Sequence, residues 1–382
     1  MKIRYELTKQ RKAAELWLKF CWIFSPAHWT NNNKETRLMH KYTLSRIASG
    51  LALMACLSLQ SHTVLAAAPR VLKLGISLNG ESVEARAMQF LAQRVEAQSQ
   101  GRLRIEVNPG GKLGDDVSMV KAMQAGTQDM GGPDGSTLAS LVKEFSVINY
   151  PFTFINEAET DAILDGRWGQ SLLAKLPAQG VVGLAFFENG FRQITNSRRP
   201  LNVVSDFQGV KLRTMQNQML VDSFSRLGFE AVPMPFPKVY DALSKQEVDG
   251  QENPLPTILA SRFYEVQKYL TLSRHVYSVH VLLIGGKTWE SLGADDQKLL
   301  QAAAIEARDF QRRLNRTENA SALTALKEKG MQVSEISRAD AERIRNRLRD
   351  VLDKYNRDIG TSSVLEMYVE LSRLRTKDAF GK

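Results

Sequence analysis

Val71-Leu72-Lys73-Leu74-Gly75-Ile76-Ser77 opens a succession of elements that decides the fold. The stretch alternates in part between apolar and polar residues, as a strand does. From Ser82 to Ser99 the period changes. Ala85, Met88, Leu91, Ala92 and Val95 recur three and four residues apart, on one face of a helix. Leu103-Arg104-Ile105-Glu106-Val107 alternates again as a second strand. Pro109-Gly110-Gly111 breaks the chain, and Asp115-Asp116 can cap a helix running to Ala125. Asp129 to Gly132 is a short strand that stops at glycines. This β-α-β-α-β order predicts an α/β domain with a largely parallel sheet.

A second series begins near Phe191. Gly209–Thr214 reads as a strand, Met219–Leu227 as a helix, Phe229–Met234 as a strand and Val239–Lys245 as a short helix before a turn at Asp249–Pro254. Val276–Ile284 is apolar and rich in β-branched residues, so a buried strand is expected. Asp295 through Lys327 is one long helical region, and Arg338–Arg357 another with a mixed-charge face. In the long helix Leu300, Ala303, Ala307, Phe310 and Leu314 repeat at 3,4,3,4 spacing for only about two heptads. That favours packing within the chain over a coiled-coil seam between copies. Two α/β units and a long late helix predict two lobes with a cleft between them.

Three segments of the second series carry chemistry: Gly190-Phe191-Arg192-Gln193-Ile194-Thr195-Asn196, Gly209-Val210-Lys211-Leu212-Arg213 and Asp249-Gly250-Gln251-Glu252-Asn253-Pro254. A single Arg in such a strand is ordinarily solvated or paired at the surface. Two arginines beside apolar strands, with an amide close by, point instead to a small organic acid, because a guanidinium fork fits a carboxylate bidentately.

These segments, together with Val232-Pro233-Met234-Pro235-Phe236-Pro237-Lys238-Val239-Tyr240-Asp241-Ala242-Leu243 and Phe263-Tyr264-Glu265-Val266-Gln267-Lys268-Tyr269-Leu270, resemble the DctP-like substrate-binding proteins of tripartite ATP-independent periplasmic (TRAP) transporters. The resemblance runs from about Val71 to about Tyr368. It implies an α/β, two-lobed periplasmic binding protein of the Venus-flytrap kind, with discontinuous lobes and a long interlobe helix. Residues 70–190 plus 279–318 would form one lobe and 191–278 plus 319–372 the other. It implies that Arg213 clamps the ligand carboxylate, that Arg192 and Asn253 support the same oxygens, and that Phe236 packs on the ligand body. Ser77, Asp116 and Asp134 would lie near the polar end of the ligand, and Glu188 is a further candidate there. Carboxylates at that end accept hydrogen bonds from hydroxyls and repel a second acid, which favours a uronic or aldonic acid over a C4-dicarboxylate or 2-keto acid. The resemblance further implies delivery to the small and large membrane permease subunits, driven by an ion gradient. A monomer with no catalytic cofactor is expected, and a ligand-bridging metal remains open because some relatives use one.

The charge agrees. The 382 residues carry a formal +10, but 10 of the 51 Lys and Arg and only 3 of the 41 Asp and Glu fall in residues 1–66. The remainder is close to balance, so no nucleic-acid partner is implied. Lys41 and Arg46, the apolar run Ile47 to Leu59 and Val64-Leu65-Ala66 read as a signal peptide over about 39–66, with Ala67 the first mature residue and 1–38 an upstream extension. The protein is therefore expected in the periplasm. Both cysteines, Cys21 and Cys56, lie in this leader, so the mature part has no thiol chemistry.

Enzymatic activity is not expected. His275 and His280 are the two histidines beyond residue 66, and their spacing puts them on opposite faces of a strand, unsuited to joint metal ligation. No nucleophile elbow, P-loop or dinucleotide fingerprint occurs. The remaining alternative is the ligand-binding component of a signalling receptor.

Overall fold

The computed structural model describes residues 68–379. The leader, both cysteines and the expected cleavage site lie outside the described residues. Eleven strands occur among them: β1 (Arg70–Gly75), β2 (Leu103–Asn108), β3 (Met130–Gly131), β4 (Val181–Phe191), β5 (Gln193–Asn196), β6 (Lys211–Thr214), β7 (Glu230–Pro233), β8 (Gly250–Asn253), β9 (Tyr269–Leu272), β10 (Tyr277–Gly285) and β11 (Gln332–Glu335). They form two sheets, ordered β2-β1-β3-β10-β4 and β11-β9-β5-β8-β6-β7. Each sheet takes strands from separate parts of the chain, so this two-lobed α/β architecture is discontinuous in sequence.

In the first sheet β1 runs parallel to β2 and β3, as the opening pattern predicts. The crossovers are α1 (Val83–Gln98) and α2 (Asp116–Ala125). Ser82 caps α1 by accepting from the Ala85 N–H, and Asp115 caps α2 by accepting from the Ser118 N–H at 2.8 Å. The sheet is nevertheless mixed rather than largely parallel. β10 enters antiparallel to both β3 and β4, pairing with β4 from Val181↔Gly285 to Phe191↔Tyr277. A late strand returning from the second lobe causes this, and local periodicity carries no trace of it. Helices α3 (Glu157–Asp165) and α4 (Arg167–Leu173) cover one flank.

The second sheet corrects the reading of Asp249–Pro254 as a turn. Gly250–Asn253 is the buried strand β8, antiparallel to β5 and parallel to β6. The glycine serves close approach: a Cβ at Gly250 would lie 2.3 Å from the Thr195 carbonyl oxygen. Helices α5 (Gln218–Leu227), α6 (Val239–Ser244) and α7 (Leu255–Ala260) connect the strands, and α8 (Gly286–Glu290) follows β10. Between β4 and β5 the chain passes from the first sheet to the second through a single residue, Arg192. There the Arg192 N–H donates to the Val276 carbonyl at 2.9 Å on the returning segment.

The long helix α9 (Ala294–Glu328) serves both lobes. Leu300, Ala303, Ala304 and Ala307 are buried with Leu72, Leu74 and Met88 in one core, and Phe310 stacks on Phe90 at 4.5 Å. Farther along, Ala322 and Leu326 are buried with Val239, Ile258 and Leu270 in another. Leu300, Ala303, Ala307 and Phe310 of its heptad-like residues therefore pack within the chain. The expected helix 338–357 is two, α10 (Arg338–Arg347) and α11 (Arg349–Ile359), joined at Leu348. A final helix, α12 (Thr361–Ala379), packs on α3 and α4: Arg375 bonds Glu159, and the Trp168 indole donates to the Ser363 carbonyl at 3.0 Å.

Candidate ligand-binding site

A cleft with about 500 Å³ of atom-free space, its mouth included, lies between the two sheets. One wall comes from the first sheet. Ser77 follows β1, Asp134 follows β3, and Glu84 and Asp116 stand in the first turns of α1 and α2. In an open α/β sheet these are the carboxyl ends of parallel strands, where ligands bind. His280 projects into the same wall from β10. The other wall comes from the second sheet and its crossover: Arg192, Arg213 on β6, Asn253 at the end of β8, and Phe236. The walls meet at their rims, where Asn79 Nδ2 donates to the Ala260 carbonyl at 2.8 Å and Asn217 Nδ2 to the Ser136 carbonyl at 2.9 Å.

The two arginines differ in how they are held. Arg192 is fully engaged. Its Nε and Nη2 bond the Glu252 carboxylate, Nη2 also donates to the Glu252 carbonyl and to Asn253 Oδ1 (3.1 Å), and Nη1 donates to Ser278 Oγ (3.0 Å). Burial alone would raise the Glu252 carboxyl, but Arg192 and His275 outweigh it and hold it at about 2. Arg213 donates from Nε and Nη2 to one acceptor, the Met234 carbonyl, at 2.9 and 2.6 Å. Its Nη1 is buried with no hydrogen-bond partner among the described residues. Burial, with Arg192 adding to it, lowers this guanidinium to about 10 despite Glu252. Phe236 is half-buried, its ring centroid 5.8 Å from the Arg213 guanidinium carbon.

The opposite wall is acidic. Ser77 Oγ donates to Asp116 Oδ1, and Asp116 Oδ2 accepts from the Asp134 N–H at 3.1 Å. Asp134 Oδ1 accepts from the Ser136 N–H, while Oδ2 is buried with no partner among the described residues. Burial raises the carboxyls of Asp116 and Glu84. Burial would lower His280, but Glu84, Asp134 and Asp116 outweigh it and raise the imidazole to about 9.

Seven of the eight residues expected at the ligand line this cleft: Arg213, Arg192, Asn253, Phe236, Asp134, Asp116 and Ser77. Glu188 does not. It faces α9, where its carboxylate accepts from Asn315 (2.8 Å), Arg316 (2.7 and 2.9 Å) and the Tyr277 hydroxyl (3.1 Å). It was expected near the polar end of the ligand beside Asp116 and Asp134, but strand alternation turns it to the helix. Two titratable lining residues had not been singled out as ligand contacts, Glu84 and His280. Glu84 is hidden by its position, since an acid in a first helical turn reads as a complement to the helix dipole. His280 and His275 do face different surroundings: His275 bonds Ser273 Oγ at 2.7 Å and lies against Phe224.

The profile of the family described as "Bacterial extracellular solute-binding protein, family 7" matches residues 74–358. The chain belongs to this family. Its relatives are TRAP solute-binding proteins. The 2,3-diketo-L-gulonate-binding periplasmic protein of Escherichia coli (strain K12) is 30% identical over 318 residues, 83% of this chain and 94% of that protein. The crystal structure of a sugar acid binding protein from Advenella mimigardefordensis strain DPN7T, in complex with galactonate, superposes with a TM-score of 0.78 at 39% identity, covering 80% of this chain and 98% of that one. A TRAP periplasmic solute binding protein from Polaromonas sp. JS666 bound to D-erythronate gives 0.75 at 36% identity, covering 78% and 97%. The two-lobed architecture described above is thus that of TRAP solute-binding proteins, and the cleft of this one lies between its two sheets.

Proposed function

We propose that this solute-binding protein captures a small sugar acid, a hydroxylated monocarboxylate of the aldonate or uronate type, and delivers it to the membrane permease subunits of a TRAP transporter. The observation that carries the reading is Arg213, a buried cation whose Nη1 has no partner among the described residues and which lines the cleft. A carboxylate supplies the charge and acceptor that a buried guanidinium lacks. Arg192 is already neutralised by Glu252, so this end of the cleft has one cation in excess, suited to one carboxylate. Asn253 would support the same oxygens through its bond to Arg192, and Phe236 would pack on the carbon chain. At the far end Ser77, Asp116 and Asp134 would receive hydroxyls. The sugar-acid complexes of the Advenella and Polaromonas relatives support the same class.

The mechanism is closure of the two lobes around the acid, with a population shift toward the closed form. Residues 39–66 direct export to the periplasm, which mass spectrometry of the secreted form tests by its first residue, expected at Ala67. The role is binding without turnover. A thermal-shift screen of the protein from Ala67 tests the ligand class against aldonates, uronates, C4-dicarboxylates, 2-keto acids and neutral sugars. At 100 times the dissociation constant a true ligand stabilises by about 2.7 kcal/mol. Shifts with aldonates or uronates and none with neutral sugars are expected. A response confined to dicarboxylates would overturn the sugar-acid assignment, and a response to neutral sugars alone would overturn the carboxylate clamp.

A further inference from the structure

We propose that Glu84 and His280 form a hydroxyl-reading pair in the wall opposite Arg213, through which the protein selects an acid whose chain is hydroxylated and uncharged beyond its single carboxylate. This rests on the reading of the cleft as an organic-acid site and adds the residues that choose among acids. Both side chains line the cleft and are nearly inaccessible, Glu84 at 3% and His280 at 6% exposure. Glu84 Oε1 and His280 Nδ1 face each other as an ion pair at 3.1 Å without forming a hydrogen bond. Both Glu84 oxygens, His280 Nδ1 and Asp134 Oδ2 remain without a hydrogen-bond partner among the described residues. Buried polar groups in native proteins are nearly always satisfied. Four such atoms around one cleft therefore mark the place where a ligand completes the network.

The backbone is shaped to seat this carboxylate. A Cβ on Gly132 would fall 2.6 Å from Glu84 Oε1 and 3.1 Å from Ile76 Cγ2, so the chain is reduced to a glycine where Glu84 must lie. The donor and acceptor pattern then specifies the ligand. An ionised carboxylate only accepts, a protonated imidazole only donates, and a hydroxyl does both. Adjacent hydroxyls satisfy the pair, one donating to Glu84 and its neighbour accepting from His280 while donating to Asp134. A second ligand carboxylate brings acceptors alone. It would meet Glu84 from α1, Asp116 from α2 and Asp134 from the loop after β3, with the single imidazole of β10 to offset them. Arg192 and Arg213 belong to the opposite wall. The raised imidazole of His280, about 9, keeps it a donor at neutral pH.

The test is titration calorimetry at neutral pH on the mature protein, comparing D-galactonate with galactarate, the same chain with its far CH₂OH oxidised to a carboxylate. The wild type is expected to prefer galactonate at least tenfold. Glu84→Gln should weaken galactonate roughly 10- to 100-fold, the scale of a hydrogen bond to a charged group, and narrow its preference over galactarate. His280→Asn should weaken galactonate by a similar factor. Melting of the unliganded variants checks folding, and should Glu84→Gln unfold, His280→Asn decides alone. Variants that fold and keep both the wild-type affinity and the wild-type preference would overturn the proposal while leaving the organic-acid reading intact. So would a wild type that binds succinate or galactarate in preference to galactonate. A wild type that binds no organic acid at all would overturn both.

Discussion

Replacing Arg213 by Met should have opposite effects on the empty-handed protein and on its binding. The side chain is 3% exposed, and its guanidinium is lowered from 12.5 to about 10, chiefly by burial. At 1.36 kcal/mol per pH unit, holding this cation in place costs the unliganded fold roughly 3 kcal/mol. Met fills a similar volume without charge. Against that gain, the Met234 carbonyl loses the two donations that Arg213 makes to it, worth about 1–3 kcal/mol. The net expectation lies between no change and about 2 kcal/mol of added stability, a rise in Tm of up to about 3 °C. Binding moves the other way. Truncating one partner of a buried, hydrogen-bonded charge pair costs about 2–5 kcal/mol, or roughly 30- to 5,000-fold in Kd. Differential scanning calorimetry without ligand and titration with a sugar acid give both quantities on one preparation. An unchanged Kd would remove Arg213 from the site. A variant destabilised by more than about 2 kcal/mol would show that the guanidinium holds the wall together, and the argument from an unpartnered cation would fail.

Glu252→Gln should lower stability by about 3–5 kcal/mol in urea unfolding, because Arg192, at 1% exposure, would keep its charge without a counter-ion; a loss below 1 kcal/mol would mean that the pair is not what satisfies Arg192. With its folded value held near 2 against an ordinary 4.5, Glu252 contributes stability that is complete above pH 4.5 and fades as pH falls toward 2. His280 has the opposite sign. Raised from 6.5 to about 9, it contributes stability that is complete below pH 6.5 and lost as pH rises through 9, so the Tm of the unliganded protein should fall across that window and His280→Asn should flatten the fall. An equal fall in the variant would assign the effect to other groups. Gly190→Ala should cost about 1–3 kcal/mol in chemical denaturation, since φ there is +113° just before the crossover at Arg192; full stability would show that the crossover relaxes to accept a side chain.

The fold was legible wherever one element buries one face against a local neighbour. The α1 face around Met88 and Leu91, the cap at Asp115 and the apolar run of β10 all show in the sequence as the structure has them. What escaped was set by distant backbone. Gly250-Gln251-Glu252-Asn253 has the composition of a turn, yet it is a central strand because β5 and β6 pair with it on both sides. The first sheet became mixed for the same reason, through a strand returning from more than 100 residues away. In the candidate site, Arg213, Arg192 and Asn253 were legible through their motif context. Glu84 was not, because helical periodicity identifies the buried face of α1 but not which of its polar residues lines the cleft. Glu188 shows the converse: its neighbours in sequence are near the cleft, and its carboxylate is committed to α9.

The two walls of the cleft come from different sheets, and that separates two tasks. Arg192, Arg213 and Asn253 stand on the second sheet and its crossover, and Ser77, Glu84, Asp116, Asp134 and His280 stand on the first. On the proposed reading the former would hold the one group that every organic acid shares, and the latter would face the part in which acids differ. The handle and the code are thus carried by separate halves of the molecule. A lineage can rewrite the code by changing five side chains on one sheet while the handle, and the buried Arg192–Glu252 pair that braces it, stays as it is.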